Sequence, residues 1–170
     1  MRYVVLIALA AFPLAVIYGA LRDLVSFEVP NWVSLAVVLS FIVAMPGAGI
    51  PGDEIAAHFA VGLAVLAVAF FMFARGFIGG GDAKLLAGAA LWMGWRWLAE
   101  FLILMGLAGG VLALLILIFR KVPLPKRLSA ISWIRRLHGE TAGVPYSLAI
   151  GAAALYLFPN LAVVSRALSD

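Results

Sequence analysis

The sequence predicts an all-α, polytopic membrane protein with six transmembrane helices. Of its 170 residues, 66% are hydrophobic and only 12% are charged, whereas average proteins have about 45–50% apolar and about 25% charged residues. The mean hydropathy is +1.15. Long apolar runs between turn signals, which are typical of membrane helices, recur along the chain. Residues 1–170 are therefore expected to form a single integral-membrane domain.

Six apolar runs are separated by segments rich in glycine, proline or charge. The spans are predicted at Tyr3–Leu21, Trp32–Met45, Ile55–Ala74, Ala83–Met93, Leu98–Phe119 and Val144–Phe158. The fourth is the shortest, at about 17 Å for 1.5 Å per residue, against a hydrocarbon core of about 30 Å. The N-terminal end of this span is therefore expected to lie below the lipid surface, where the preceding segment, Gly76–Asp82, lines a water-filled notch.

Basic residues divide unequally between the two sides of this bundle. One side receives nine of the twelve, namely Arg22, Arg75, Lys84, Arg120, Lys121, Lys126, Arg127, Arg135 and Arg136. Because positive loops favour the cytoplasm, both termini are predicted outside, and Trp92, Trp95 and Trp97 at the outer interface. This distribution indicates membrane orientation rather than nucleic-acid binding. On the inner side, Ser129–Leu137 is predicted to form an interfacial helix with its apolar face in the lipid.

Two aspartates, Asp23 and Asp82, fall on the predicted cytoplasmic side, whereas Asp53 and Glu54 fall in an outer loop. Ionisable groups at membrane depth are costly and mark functional sites. Two neighbouring carboxylates share one proton, so that one activates water while the other polarises a carbonyl. The pattern therefore predicts a pair that hydrolyses peptide bonds at the cytoplasmic edge of the membrane.

This chemistry requires no cofactor or metal ion. The chain has no cysteine, and His58 and His138 are predicted on opposite sides of the membrane. Residues expected to bind substrate or shape the loops are Gly79, Gly81, Lys84, Pro30 and Asn31.

Glycines without Cβ allow an extended peptide to approach the backbone closely. Asn31 is predicted to cap the second span. Lys84 has two interpretations: it acts on the Asp82 proton or a substrate carbonyl, or it is an inside-facing charge at a helix start. Glu28 is interpreted as an exposed loop carboxylate, with attraction of a basic substrate segment as the alternative.

Three segments carry motifs in a characteristic order. Asp23 is followed by Val29-Pro30-Asn31, then comes Gly79-Gly80-Gly81-Asp82-Ala83-Lys84, and last Val144-Pro145-Tyr146-Ser147-Leu148-Ala149-Ile150. They resemble, respectively, the first-aspartate segment, the GxGDxK signature and the last-helix Pro-Tyr-Gly-Pro-Ala-Ile run of the type IV prepilin peptidases, which are GxGD membrane aspartyl proteases. Ser147-Leu148 departs from the last pattern.

The resemblance implies that Asp23 and Asp82 are the catalytic pair of an aspartic endopeptidase in the bacterial inner membrane. Its substrates would be prepilins or pseudopilins, whose short basic leader is removed by cleavage after glycine on the cytoplasmic side. Larger members carry a cysteine-bearing insertion and methylate the new terminus. This chain lacks that insertion and resembles the minimal form of Flp/tight-adherence pilus systems, so no N-methyltransferase activity is expected.

Two alternatives remain open from the residues themselves. A small ion-coupled membrane transporter subunit would use Asp82 and Lys84 to bind a coupling ion. A non-catalytic membrane scaffold would need neither aspartate.

Overall fold

The computed structural model describes residues 2–139 and 143–169, and their regular structure is entirely helical. The helices are α1 Arg2–Ser26, α2 Asn31–Gly47, α3 Gly52–Ala74, α4 Gly80–Lys121, α5 Lys126–Ser129, α6 Ser132–His138, α7 Ser147–Leu157 and α8 Ala162–Ser169. A short 3-10 turn, Phe158–Asn160, connects α7 to α8. The predicted all-α class is confirmed.

Three of these helices, α1, α3 and α4, are long and apolar enough to cross a membrane. The segments Ser147–Asn160 and Ala162–Leu168 meet at 47° and make a fourth span if counted as one, while α2 is apolar but shorter. Within residues 2–139 and 143–169 the helices thus support a multi-pass membrane protein. The number six and the predicted orientation stay predictions.

The predicted fourth and fifth spans both lie in α4, on either side of Gly94. This residue has φ 59° and ψ −170°, which no helix can accommodate. Such a backbone conformation is essentially restricted to glycine. The break predicted between these spans is therefore confirmed, and it gives α4 a first part that ends at Met93.

The core holds the first part of α4 against α1 and α2. Trp92 is fully buried, its ring centroid lies 4.5 Å from that of Phe12, and its indole N–H donates to the Val37 carbonyl at 2.9 Å. The prediction of Trp92 at the lipid interface is wrong, because this partner satisfies the indole inside the protein. Trp95 is exposed, and its place at the outer interface stays a prediction.

The predicted interfacial helix over Ser129–Leu137 is also wrong in its extent. The first short helix, α5, ends at Ser129, the backbone becomes extended at Ile131 (φ −86°, ψ 115°), and α6 begins at Ser132. Two contacts explain this path: the Arg136 guanidinium donates to the Ser26 carbonyl at 3.0 Å, and that of Arg120 donates to the Leu137 carbonyl at 3.0 Å. Thus α6 is fastened to the ends of α1 and α4.

Within α6 the predicted division of faces is confirmed. Trp133, Ile134 and Leu137 are partly buried, whereas Arg135 and Arg136 are exposed.

Two other boundaries differ from the predictions. Asp53 and Glu54 lie in the first turn of α3 rather than in a loop, where negative charge stabilises the helix N-terminus. The last predicted span, Val144–Phe158, is helical only from Ser147, and a proline disfavours the helical conformation in the residue before it, here Val144.

Candidate active site

Asp23 lies in the last turn of α1, and only 4% of it is exposed. The helix closes with the Phe27 N–H donating to the Asp23 carbonyl at 2.8 Å. Phe27 has a positive φ of 57°, an uncommon conformation for a residue with a side chain. The chain therefore turns sharply after Ser26, and the next residues run beside the Asp23 side chain to α2.

Asp82 lies in the first turn of α4, after a glycine-rich connection from α3. Gly76 has a φ of +75°, which glycine adopts without the penalty that a Cβ brings. Gly79 is extended and immediately precedes the helix. A Cβ on Gly79 would lie 3.2 Å from Asp82 Oδ2, so this glycine leaves the space in which the carboxylate lies.

The two aspartate segments touch at Gly81. A Cβ on Gly81 would lie 2.9 Å from the Val29 Cβ and 3.1 Å from the Val29 carbonyl oxygen. The connection between α1 and α2 thus packs directly on the backbone at the start of α4. The sequence predicts that glycine here lets a substrate peptide approach the backbone closely. In the structure, the group that approaches Gly81 this closely is Val29 of the same chain.

A single residue, Ser147 at the start of α7, contacts both carboxylates. Its backbone N–H donates to Asp23 Oδ2 at 3.1 Å, and its hydroxyl donates to Asp82 Oδ1. The carboxylates also interact electrostatically with each other. The structure therefore brings together two aspartates that are 59 positions apart in the sequence.

Both aspartates line one cavity of about 410 Å³. Its walls come from the end of α1, the connection to α2 and the start of α4, and its lining residues are Arg22, Asp23, Phe27, Glu28, Val29, Pro30, Asn31, Gly79, Gly80, Gly81 and Asp82. Three carboxylates and one guanidinium make it the polar cavity of the site. Four of the five residues predicted to bind substrate or shape loops line it.

A second cleft, of about 500 Å³, meets this site at Asp82. Apart from Asp82, its lining is apolar or aromatic. It comes from α3, α4, α7 and the connection between α3 and α4, and includes Met72, Phe77, Leu102 and Ile150. Asp82 is thus the residue shared by the polar cavity and this apolar cleft.

Lys84 does not line the polar cavity. Its ammonium donates to Asn31 Oδ1 at 2.7 Å, which connects α4 to α2. Asn31 is the first residue of α2, where Pro30 holds the capping position and no side chain caps the helix. The predicted Asn31 cap is therefore wrong, because α2 begins one residue earlier than predicted and places Asn31 in its first turn, where the amide oxygen accepts from Lys84 instead.

The two histidines contact backbone carbonyls in separate places. His58 Nδ1 lies 2.7 Å from the Leu91 carbonyl oxygen, and His138 Nε2 lies 3.0 Å from that of Val122. Among the described residues, no three His, Asp or Glu side chains form a group able to hold a metal ion.

Ser147 is the site residue that the sequence did not reveal. It appeared only as a departure from a motif, and no spacing rule joins it to Asp23, which lies 124 positions away. The available signal was its place just after Pro145-Tyr146. A helix that starts there has N–H groups without intrahelical partners.

Comparison with known proteins identifies the family of the chain. The family model described as the type IV leader peptidase family matches residues 10–114, which is more than half of the chain and includes both aspartates. The searches of curated proteins and of solved structures return no match. On the strength of the family match, the chain belongs to the type IV leader peptidase family.

Proposed function

We propose that this protein is an aspartic endopeptidase in which Asp23 and Asp82 are the catalytic pair. The observation that carries the proposal is the convergence of both carboxylates on Ser147 at the wall of one polar cavity. Family membership supports a peptidase, and two facing carboxylates are sufficient to hydrolyse a peptide bond without a bound metal ion or a nucleophilic side chain.

In the proposed reaction the pair holds one proton, because two adjacent carboxylates do not both ionise readily. The ionised carboxylate takes a proton from water as the oxygen attacks the scissile carbonyl carbon. The protonated carboxyl donates to the carbonyl oxygen as negative charge develops there. When the tetrahedral diol intermediate collapses, the C–N bond breaks and the leaving amine takes the proton that came from water. A hydroxyl of the intermediate returns its proton to the other carboxylate as the new carboxylic acid forms, so the pair again holds one proton.

The two spaces that meet at Asp82 support a substrate with two unlike parts. The polar cavity, with the carboxylates of Asp23, Glu28 and Asp82 against Arg22, favours a short basic segment. The apolar cleft favours a hydrophobic segment. A prepilin or pseudopilin has this arrangement, with a basic leader ending in glycine before a hydrophobic stretch, and the bond after that glycine would lie beside Asp82.

We further propose that cleavage occurs at the cytoplasmic face of the bacterial inner membrane. The basic residues near the site support this face, since positively charged loops favour the cytoplasm. The first part of α4 covers residues 80–93, about 21 Å at 1.5 Å per residue. That length falls short of a hydrocarbon core of about 30 Å, which supports a site recessed below the headgroups.

Residues 1–170 would form one peptidase domain without methyltransferase activity. The connection between α1 and α2 is only residues 27–30, which leaves no room there for an inserted methyltransferase unit.

The test is cleavage of a candidate prepilin by the detergent-purified protein, with the new N-terminus identified by mass spectrometry. We expect one cut, after the glycine that ends the basic leader. A substrate whose leader lysines and arginines are replaced by glutamate is the matched control and should be cut poorly. Absence of leader removal together with proton-dependent ion flux in vesicles would contradict the proposal and favour a transporter.

A further inference from the structure

Ser147 has a place in the site that the two carboxylates alone do not explain. None of its surface is exposed, and both of its donors are used: the backbone N–H on Asp23 and the hydroxyl on Asp82. It lies beyond residues 10–114, the part of the chain that matches the family. It also stands where the resembling motif has glycine, which has no hydroxyl to donate.

The start of α7 explains why its N–H is available. The first hydrogen bonds of this helix are made by Leu148 to the Pro145 carbonyl at 3.2 Å and by Ile150 to the Tyr146 carbonyl at 3.0 Å. The Ser147 N–H precedes them and is one of the donors that a helix N-terminus leaves without an internal partner. It therefore donates to Asp23 without weakening α7.

Packing holds α7 in place between the helices that carry the aspartates. On the α1 side, a Cβ on Gly151 would lie 3.3 Å from Val16 Cγ1 and 3.4 Å from Ala20 Cβ. On the other side, a Cβ on Gly109, in the part of α4 that follows Gly94, would lie 2.8 Å from the ring of Tyr146, which directly precedes α7. Because α7 touches both neighbours this closely, Ser147 has little freedom to move away from either carboxylate.

We propose that Ser147 is the positioning residue of the pair, with its N–H fixing Asp23 and its hydroxyl fixing Asp82 in one geometry. The proposal rests on the proposed function, since it concerns the orientation of the carboxylates for peptide hydrolysis. Ser147 itself takes no part in bond making or breaking.

Two carboxyl groups on separate helices gain freedom by moving apart, and they repel each other whenever both are ionised. A donor that lies between them and is itself held rigidly opposes both tendencies. Proton transfer depends steeply on such geometry, so this contact should matter for the rate of the chemical step more than for substrate binding.

The kinetic test replaces the hydroxyl alone. Ser147→Ala keeps the backbone N–H and removes the donor to Asp82, so kcat should fall roughly 10- to 100-fold while KM stays within about twofold. The matched control is Ser40→Ala, because Ser40 is also a buried serine but its hydroxyl donates only to the Val37 carbonyl, at 2.9 Å. Unchanged kcat in a folded Ser147→Ala protein would overturn the proposal.

A spectroscopic test needs no substrate and separates this proposal from the proposed function. In protein labelled with carboxyl-13C aspartate, the infrared band lost in Asp82→Asn identifies the Asp82 carboxyl group. We expect that band to shift in Ser147→Ala and to stay in place in Ser40→Ala. A stationary band would overturn the Ser147 assignment even if cleavage were observed.

Failure of the wild-type protein to cleave any prepilin would instead contradict the proposed function. The infrared shift would still report whether the contact exists. Thermal unfolding of both variants, followed by circular dichroism, identifies any loss of rate that comes from unfolding.

Discussion

Two glycine-marked breaks in the helices have opposite surroundings. The break at Gly94 is filled: the His58 ring lies against it, a Cβ there would be 2.7 Å from His58 Nδ1, and the neighbouring Trp92 is fully buried. The break before Asp82 is open, with a cavity of about 410 Å³ beside it. Glycine therefore permits tight packing of a side chain at Gly94 and leaves an open cavity beside Asp82.

The polar groups beside the two breaks also differ in their surroundings. Beside Gly94, His58 Nδ1 lies 2.7 Å from the Leu91 carbonyl oxygen. At the other break, the carboxylates of Asp23 and Asp82 accept from two different donors of Ser147 but still face the cavity. A helix break whose polar groups are all used supports the fold, whereas a break with carboxylates at an open space is available for chemistry. Substitutions at the open break should therefore lower activity, whereas substitutions at Gly94 should lower stability.

The largest effect is expected at the open break. Asp23→Asn and Asp82→Asn should each lower peptidase activity by about 1,000-fold or more, because an amide cannot hold or pass the proton. Thermal unfolding should change little, since asparagine keeps the size of aspartate. Cleavage assays measure the loss, with Asp53→Asn in α3 as the control. More than a few per cent of wild-type activity in either variant would contradict a catalytic pair.

The filled break should give a large loss of stability instead. Gly94→Ala forces a Cβ into the His58 ring at a backbone conformation that only glycine adopts readily, and should destabilise the protein by about 2–4 kcal/mol. Activity per folded molecule should stay near the wild-type value. Chemical unfolding in detergent, combined with cleavage assays, measures both. A stable but inactive variant would show that this break belongs to the active site.

A third substitution, at Gly81, changes the contact between the segment that follows Asp23 and the start of the helix that carries Asp82. Gly81→Ala would bring a Cβ to 2.9 Å from the Val29 Cβ, so the α1–α2 connection must move away from α4. We expect activity to fall roughly 10- to 100-fold. Gly106→Ala, on the same helix with nothing within 4 Å of its Cβ, is the control. Equal activity of the two variants would mean that this contact does not shape the site.

The smallest effect is expected at Lys84. Lys84→Met removes an exposed hydrogen bond to Asn31, which should cost at most about 1 kcal/mol of stability. Activity should stay within about threefold, because Lys84 does not line the polar cavity. Measured kcat/KM decides between the two interpretations of this residue: a much larger loss would indicate that Lys84 acts on Asp82 or on substrate.

The sequence predicts the parts of this site that depend on local chemistry. Asp23 and Asp82 are exceptional because charge is rare in apolar segments, and the break at Gly94 follows from glycine between two apolar runs. Ser147 is not predictable in this way, since its contacts depend on how α7 packs between α1 and α4.

Two predictions that the structure contradicts, the extent of the interfacial helix and the Asn31 cap, fail because of contacts that are distant in the sequence. The apolar periodicity of Ser129–Leu137 continues through Ala130 and Ile131, and only contacts with α1 and α4 reveal the interruption. Asn31 has the chemistry of a helix cap, but α2 begins at Asn31 itself, and its amide oxygen accepts from Lys84, 53 positions away. In each case a partner distant in the sequence overrides a local preference.

Proximity of the two aspartates in the membrane is the claim on which the function depends, and a cross-linking measurement tests it directly. Because the chain has no cysteine, Asp23→Cys and Asp82→Cys together provide its only thiols. A short bifunctional thiol reagent, applied to native membranes, should join them within one chain, as detected by mass spectrometry. The pair Asp23→Cys and Asp53→Cys should stay unlinked. Labelling of positions 23 and 82 from opposite sides of the membrane, without a cross-link, would contradict the account.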